Sequence, residues 1–136
     1  MRKIEEKALK LLEQCQEFVL CSVDENGYPR ACVVSKLKHE GYTTLCCATG
    51  MSGVKTRHFQ KNPKASVCYH NEQDSVTLVG SVCLVTDAQE RAGLWQDWMY
   101  PHFPEGIDDP EYCPLRFTAK EATLWIEGEF VTLTDL

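Results

Sequence analysis

The sequence predicts a mainly β chain with helices at its connections, an α+β domain built on a small closed or partly closed antiparallel barrel. Three observations lead there. Short β-type apolar runs recur from Phe18 towards the C-terminus. Two pairs of these runs are joined by connections too short for a crossover helix, which argues against a parallel α/β sheet. Helical spacing is confined to three places. The 136 residues, 43% hydrophobic and 25% charged, fit one domain over 1–136, able to bury roughly two-thirds of its unfolded surface without metal or disulfide staples.

Residues 1–16 carry an amphipathic helix, because Ile4, Ala8, Leu11, Leu12 and Cys15 recur at helical spacing while Glu5, Glu6, Lys7, Lys10 and Glu13 fill the other face. The pattern changes at Phe18. Phe18–Val23 is a strand, and Asn26-Gly27 marks a hairpin because both residues accept positive φ. A second strand, Arg30–Leu37, a turn at Glu40-Gly41 and a third strand, Thr43–Ala48, complete an expected meander. The small-residue loop Thr49–Gly53 precedes a short helix, Val54–Lys61, which Asn62-Pro63 ends. Ala65–His70 and Ser75–Thr86 form a hairpin across Asn71–Asp74. Asp87-Ala88-Gln89-Glu90 has capping-box form and opens a third helix towards Met99. Pro101–Pro114 crosses the surface, and two last strands, Leu115–Thr118 and Ala122–Glu127, turn at Ala119–Glu121. That makes six or seven strands.

Composition excludes several functions. Fourteen Lys and Arg against twenty Asp and Glu argue against nucleic acid, which needs an excess of cations. No apolar run approaches the length of about eighteen residues that a membrane span needs, and Met1–Glu6 has no signal-peptide core, so a cytoplasmic chain without a membrane partner is expected. Of the eight cysteines, Cys21, Cys32, Cys46, Cys47, Cys68 and Cys83 lie in strand-like runs, where they read as packed, reduced thiols. No Cys-x-x-Cys occurs, and Cys68-x-His70 alone is no metal site.

Charge is segregated along the chain. Residues 41–71 hold no Asp or Glu but four cations: Lys55, Arg57, Lys61 and Lys64. With Ser52 as the expected N-cap, Lys55 and Arg57 fall in or just past the first helical turn, where cations oppose the helix dipole and a bound anion would reverse the penalty. Gly50 and Gly53 permit close backbone approach, and Thr49 and Ser52 donate hydrogen bonds. The loop lacks the ending of a Walker motif. A solvated basic helix is the competing reading; a small phosphorylated ligand is the one pursued.

Three runs carry a resemblance: Asn26–Val34, Cys47–Lys55 and Asn62–Val67. Together with Val79-Gly80-Ser81-Val82, they resemble the pyridoxamine 5′-phosphate oxidase-like, FMN-binding split-barrel proteins. Trp95–Pro110 is similar to the branch related to general stress protein 26. The resemblance implies a six-stranded antiparallel split β-barrel with flanking helices, forming a homodimer with FMN in a groove between subunits. It implies that Lys55 meets the FMN phosphate and that Thr49 lies beside the flavin. Arg30, Ala31, Cys32 and Val33 would line the ring, and Ser52 and Gly53 would fall in the phosphate loop. The family's frequent arginine before this lysine is Val54 here, with Arg57 as the candidate replacement. Ser75 stands where the vitamin enzymes place a ring-contacting glutamine, and the chain lacks their substrate-gripping C-terminal segment, so vitamin B6 synthesis is not expected.

Flavin carries its own redox chemistry, which agrees with the absence of a triad, carboxylate-pair or nucleophilic-cysteine signature. No catalytic residue and no metal ligand is therefore assigned. The short helix could turn His58 towards the ligand, but a surface position is the expectation, and Trp95 and Trp98 are expected against the barrel or a partner subunit. The expected function is an FMN-dependent oxidoreductase acting on a small organic substrate. The alternatives are a flavin-binding or stress-related sensor without turnover, and a barrel that binds haem or deazaflavin.

Overall fold

The computed structural model describes residues 1–136. Its strands are β1 (Glu17–Val23), β2 (Pro29–Ser35), β3 (Lys38–Glu40), β4 (Thr44–Gly50), β5 (Lys64–His70), β6 (Ser75–Leu84), β7 (Tyr112–Ile126) and β8 (Glu129–Leu133). The helices are α1 (Lys3–Gln14), α2 (Val54–Lys61) and α3 (Ala88–Leu94), with single 3₁₀ turns at Asp97–Met99 and Gly106–Asp108. All pairings are antiparallel, in the order β2-β1-β5-β6-β7-β4-β3, and β8 adds to β7. Six strands, β2 to β4 along that path, make the barrel; β3 and β8 are short additions at its edges.

Alternation drives the curl. Phe18 and Leu20 of β1, Val67 and Tyr69 of β5, Val76 and Leu78 of β6, and Leu115 and Phe117 of β7 turn inward and share one core. The apolar stripe of α1, Ile4, Ala8, Leu11 and Leu12, plugs that core. A satellite of Met99, Phe103 and Tyr112 forms under the segment after α3.

Several local expectations need correction. The β1–β2 connection is a five-residue loop, since Val23 pairs with Pro29; only Gly27 takes positive φ, and the Asp24 carboxylate accepts from the Asn26 and Tyr28 N–H groups. The meander does not form, because β2 and β4 are unpaired and β4 runs beside β7 instead. The third helix stops at Leu94. There Trp95 turns into an aromatic cluster, its ring centroid 5.1 Å from each of Tyr100 and Tyr112. Asp87 does cap it, accepting from the Glu90 N–H.

The two last strands are one continuous strand, β7. Ala119–Glu121 is a bulge rather than a turn: Val79 faces Glu121, Gly80 faces Ala119, and Lys120 is the extra residue. Gly80 explains the bulge, because a Cβ there would lie 2.0 Å from the Thr118 carbonyl oxygen. The true reversal comes later, where Glu127 and Gly128 both have positive φ before β8.

Candidate functional site

The barrel is split where β2 and β4 approach without forming a ladder. That slot is a cavity of about 480 Å³, within the range of about 300–1,000 Å³ common for small-molecule sites. Val33, Val34 and Ser35 give one wall, and Ala48, Thr49 and Gly50 the other. The segment after α3 closes it with Met99, Phe103, Trp98 and His102, and Glu111 stands at the loop end. Trp98 therefore faces the slot, whereas Trp95 packs as expected.

At the other end of β2 sits Lys55. Its ammonium donates to the Arg30 carbonyl oxygen (2.7 Å) and Ser22 Oγ (3.0 Å), with a longer contact to the Leu20 carbonyl oxygen (3.5 Å). The helix that presents it spans Val54–Lys61 as predicted, but its cap lies one residue later than expected. Gly53 is the N-cap of α2, and Ser52 caps nothing. Thr56, fully buried, donates to the Gly50 carbonyl oxygen at 2.7 Å and ties α2 to the loop before it.

Ser52 has another partner. Its N–H and Oγ both meet Glu111 Oε2, at 3.2 and 2.8 Å. The buried Asp109 carboxylate shapes this approach by accepting from the Glu105 and Glu111 N–H groups. Gly50 makes room, since a Cβ there would come 3.2 Å from the same carboxylate oxygen. The loop thus presents two donors to one anionic oxygen, and in this structure the anion is the chain's own.

The four cations of residues 41–71 do not converge. Lys61 pairs with Glu25 at 3.0 Å and, chiefly by that bond, holds the Glu25 carboxyl below its usual range. Arg57 is exposed and adds to that effect; it lies roughly 200° round the helix from Lys55. Lys64 is exposed as well. Arg30, on β2, bonds Asp24 at 3.3 Å. Of the predicted ring-lining strand, Arg30 and Cys32 share the face of Ser22 and Leu20, while Ala31 and Val33 point outward with Cys21 and Val19.

Three thiols, on β4 and at the start of β7, are held in the protonated form by burial. Burial pushes Cys46 up to about 11 and Cys47 and Cys113 upward too. No group of three His, Cys, Asp or Glu side chains is placed to hold a metal ion. Sequence reasoning missed Glu111, His102 and Ser22, and it misplaced His58, which is 7% exposed and meets Ser22. His58 did carry a signal: three residues beyond Lys55, it shares that helix face.

An antiparallel barrel split by a slot between β2 and β4, with a lysine near one end of β2, defines the class of fold as a split barrel. The sequence matches the family described as pyridoxamine 5′-phosphate oxidase over residues 4–126, and the chain belongs to that family. Among solved structures, it resembles a protein from Clostridium acetobutylicum related to general stress protein 26 of B. subtilis (27% identity, 97% of this chain and 94% of that one, TM-score 0.86). It shares its fold with general stress protein 26 from Bacillus anthracis str. Sterne (20%, 97% and 100%, 0.81). It also shares it with a heme-binding protein from Mycobacterium smegmatis (16%, 98% and 59%, 0.76). No curated protein matches the sequence. No helix is long and apolar enough to cross a membrane.

Proposed function

We propose that this chain is an FMN-binding flavoprotein that works as a homodimer and as an FMN-dependent oxidoreductase on a small organic substrate. The observation that carries the reading is the spacing of two unlike features along β2. A fixed ammonium lies at Arg30 and a largely apolar slot opens at Val33, about 10 Å further along an extended strand. A flat apolar ring joined by a five-carbon chain to a phosphate suits that spacing. The donor chemistry also fits: Lys55 supplies a cation, and the Ser52 N–H and hydroxyl already hold one anionic oxygen. Arg30 to Val33 and Thr49 border the ring region in this reading, and Ser52 and Gly53 the phosphate region; Arg57 joins only through a partner or a side-chain swing.

When bound, FMN supplies one- and two-electron redox chemistry. The chain's own residues bind and orient: Lys55 takes the phosphate, and β2, β4, Met99 and Phe103 keep water from the ring. His102 and Glu111 are the titratable side chains of the slot, placed to exchange protons with a substrate.

The outer face of the sheet supports the dimer. Register places Val19, Cys21, Ala31, Val33, Ser66, Cys68, Thr77 and Val79 side by side across β2, β1, β5 and β6, with no charge among them. Such a patch calls for a cover. Val33 belongs both to this face and to the slot, so a second copy seated here would also wall the groove.

The test is to load the purified protein with FMN, remove the excess, and record the visible spectrum and NADH or NADPH oxidation with a panel of small acceptors. Retained oxidised-flavin bands and acceptor-dependent oxidation are expected. A Soret band on haem loading without flavin retention overturns the cofactor. Retained flavin without any turnover overturns the enzyme and leaves a binding or sensing role.

A further inference from the structure

Two buried polar side chains sit directly behind Lys55. Ser22 of β1 is 0% exposed, and its Oγ is 2.8 Å from Nδ1 of His58. Ser22 follows Phe18 and Leu20 on the core-facing positions of β1, where an apolar side chain would satisfy the pattern. A hydroxyl is tolerated there only when its hydrogen bonds are made.

The chemistry of the ammonium fixes the direction of its bond to Ser22. An ammonium only donates, so Ser22 Oγ accepts from Lys55 at 3.0 Å. Ser22 Oγ keeps a second hydrogen bond, to His58 Nδ1 at 2.8 Å. The three side chains thus form one chain of hydrogen bonds, from Lys55 Nζ to Ser22 Oγ to His58 Nδ1.

The ammonium is held by two firm bonds, to Ser22 and to the Arg30 carbonyl, while its 3.5 Å contact with the Leu20 carbonyl is at the limit of a hydrogen bond. One N–H is thus the easiest to redirect. We propose that Ser22 and His58 are positioning residues for phosphate recognition: they hold Lys55 in one orientation and leave that proton for an anion. A long, flexible side chain fixed beforehand loses less freedom on binding. The proposal rests on the reading of Lys55 as the phosphate ligand.

The experiment compares FMN with riboflavin, which lacks the phosphate, by flavin-fluorescence titration of the full chain. Ser22→Ala and His58→Leu should each lower the FMN-over-riboflavin affinity ratio at least about threefold, with riboflavin affinity unchanged. His58→Asn, which keeps a hydrogen-bonding group near the Nδ1 position, should restore most of the ratio. In a Lys55→Ala background neither Ser22→Ala nor His58→Leu should move it further. Melting curves accompany each variant; if Ser22→Ala does not fold, the His58→Leu and His58→Asn pair decides alone.

An unchanged ratio in His58→Leu, where Lys55→Ala lowers it, overturns the positioning role and leaves the phosphate reading standing. A ratio unmoved by Lys55→Ala overturns the phosphate reading, and the positioning role with it.

Discussion

Replacing Lys55 by Ala should cost FMN affinity in a way the structure makes quantitative. The ammonium is half-buried and anchored at 2.7 Å and 3.0 Å, so it meets a phosphate already ordered and partly desolvated. A charge-assisted bond of that kind is worth about 1.5–3 kcal/mol, or roughly ten- to hundredfold in Kd. The same substitution unties α2 from β1 and β2, since the lost contacts reach Leu20, Ser22 and Arg30. Stability should therefore fall by about 1 kcal/mol, and thermal melting must be followed beside binding. Riboflavin separates the two effects: a loosened barrel weakens both ligands, whereas a lost phosphate contact weakens FMN alone. Titrations by fluorescence quenching give both constants. FMN affinity within about twofold of wild type, against the tenfold minimum expected, would refute the reasoning, and so would equal weakening of FMN and riboflavin.

Other expectations test the surroundings of the site. Val79→Asp places a charge on the uncharged outer sheet face and should convert a sedimenting dimer to monomer while weakening FMN; a variant still dimeric would show that this face is not the contact. Tyr42→Phe removes the hydroxyl that donates at 2.7 Å to the Glu5 carboxylate and should destabilise the chain by about 1.5–3 kcal/mol in urea unfolding. That bond is the main cause holding Glu5 below its ordinary carboxyl range. The stability it confers is therefore complete above the unfolded Glu value and lost as pH falls through the lower folded value, so Tyr42→Phe should show a shallower acid loss than wild type. Gly80→Ala drives a methyl group to 2.0 Å from the Thr118 carbonyl oxygen and 2.8 Å from Ala119 Cα. It should cost roughly 2–3 kcal/mol in denaturant unfolding; wild-type stability would mean that the bulge relaxes freely.

What could be read in advance followed local physics. The stripe of α1, the stop of α2, the Asp87 cap of α3, and the alternation of β1, β5 and β6 are set by neighbours a few residues apart, and all were legible. The failures lie where distant contacts decide. Ala119–Glu121 has turn-like composition, yet pairing with β6 across the Gly80 bulge carries the strand straight on. Trp95 ends α3 because Tyr100 and Tyr112 await its ring, and no local pattern shows that. The site divides in the same way. Lys55 was expected from charge order and from family likeness, whereas His58 was expected at the surface although its spacing to Lys55 puts both on one helix face. Glu111 was not, because it reaches Ser52 from 59 residues away. The four-cation stretch misled, since a helix spreads successive charges round its axis and Lys61 finds Glu25.

The most direct test is a crystal structure of the chain grown with FMN. It should show a homodimer, the phosphate within hydrogen-bond distance of Lys55 Nζ, and the ring in the slot between β2 and β4, along Val33 and Thr49. A flavin seated elsewhere, or an empty slot with Lys55 still bonded only to Ser22 and the Arg30 carbonyl, would contradict the account.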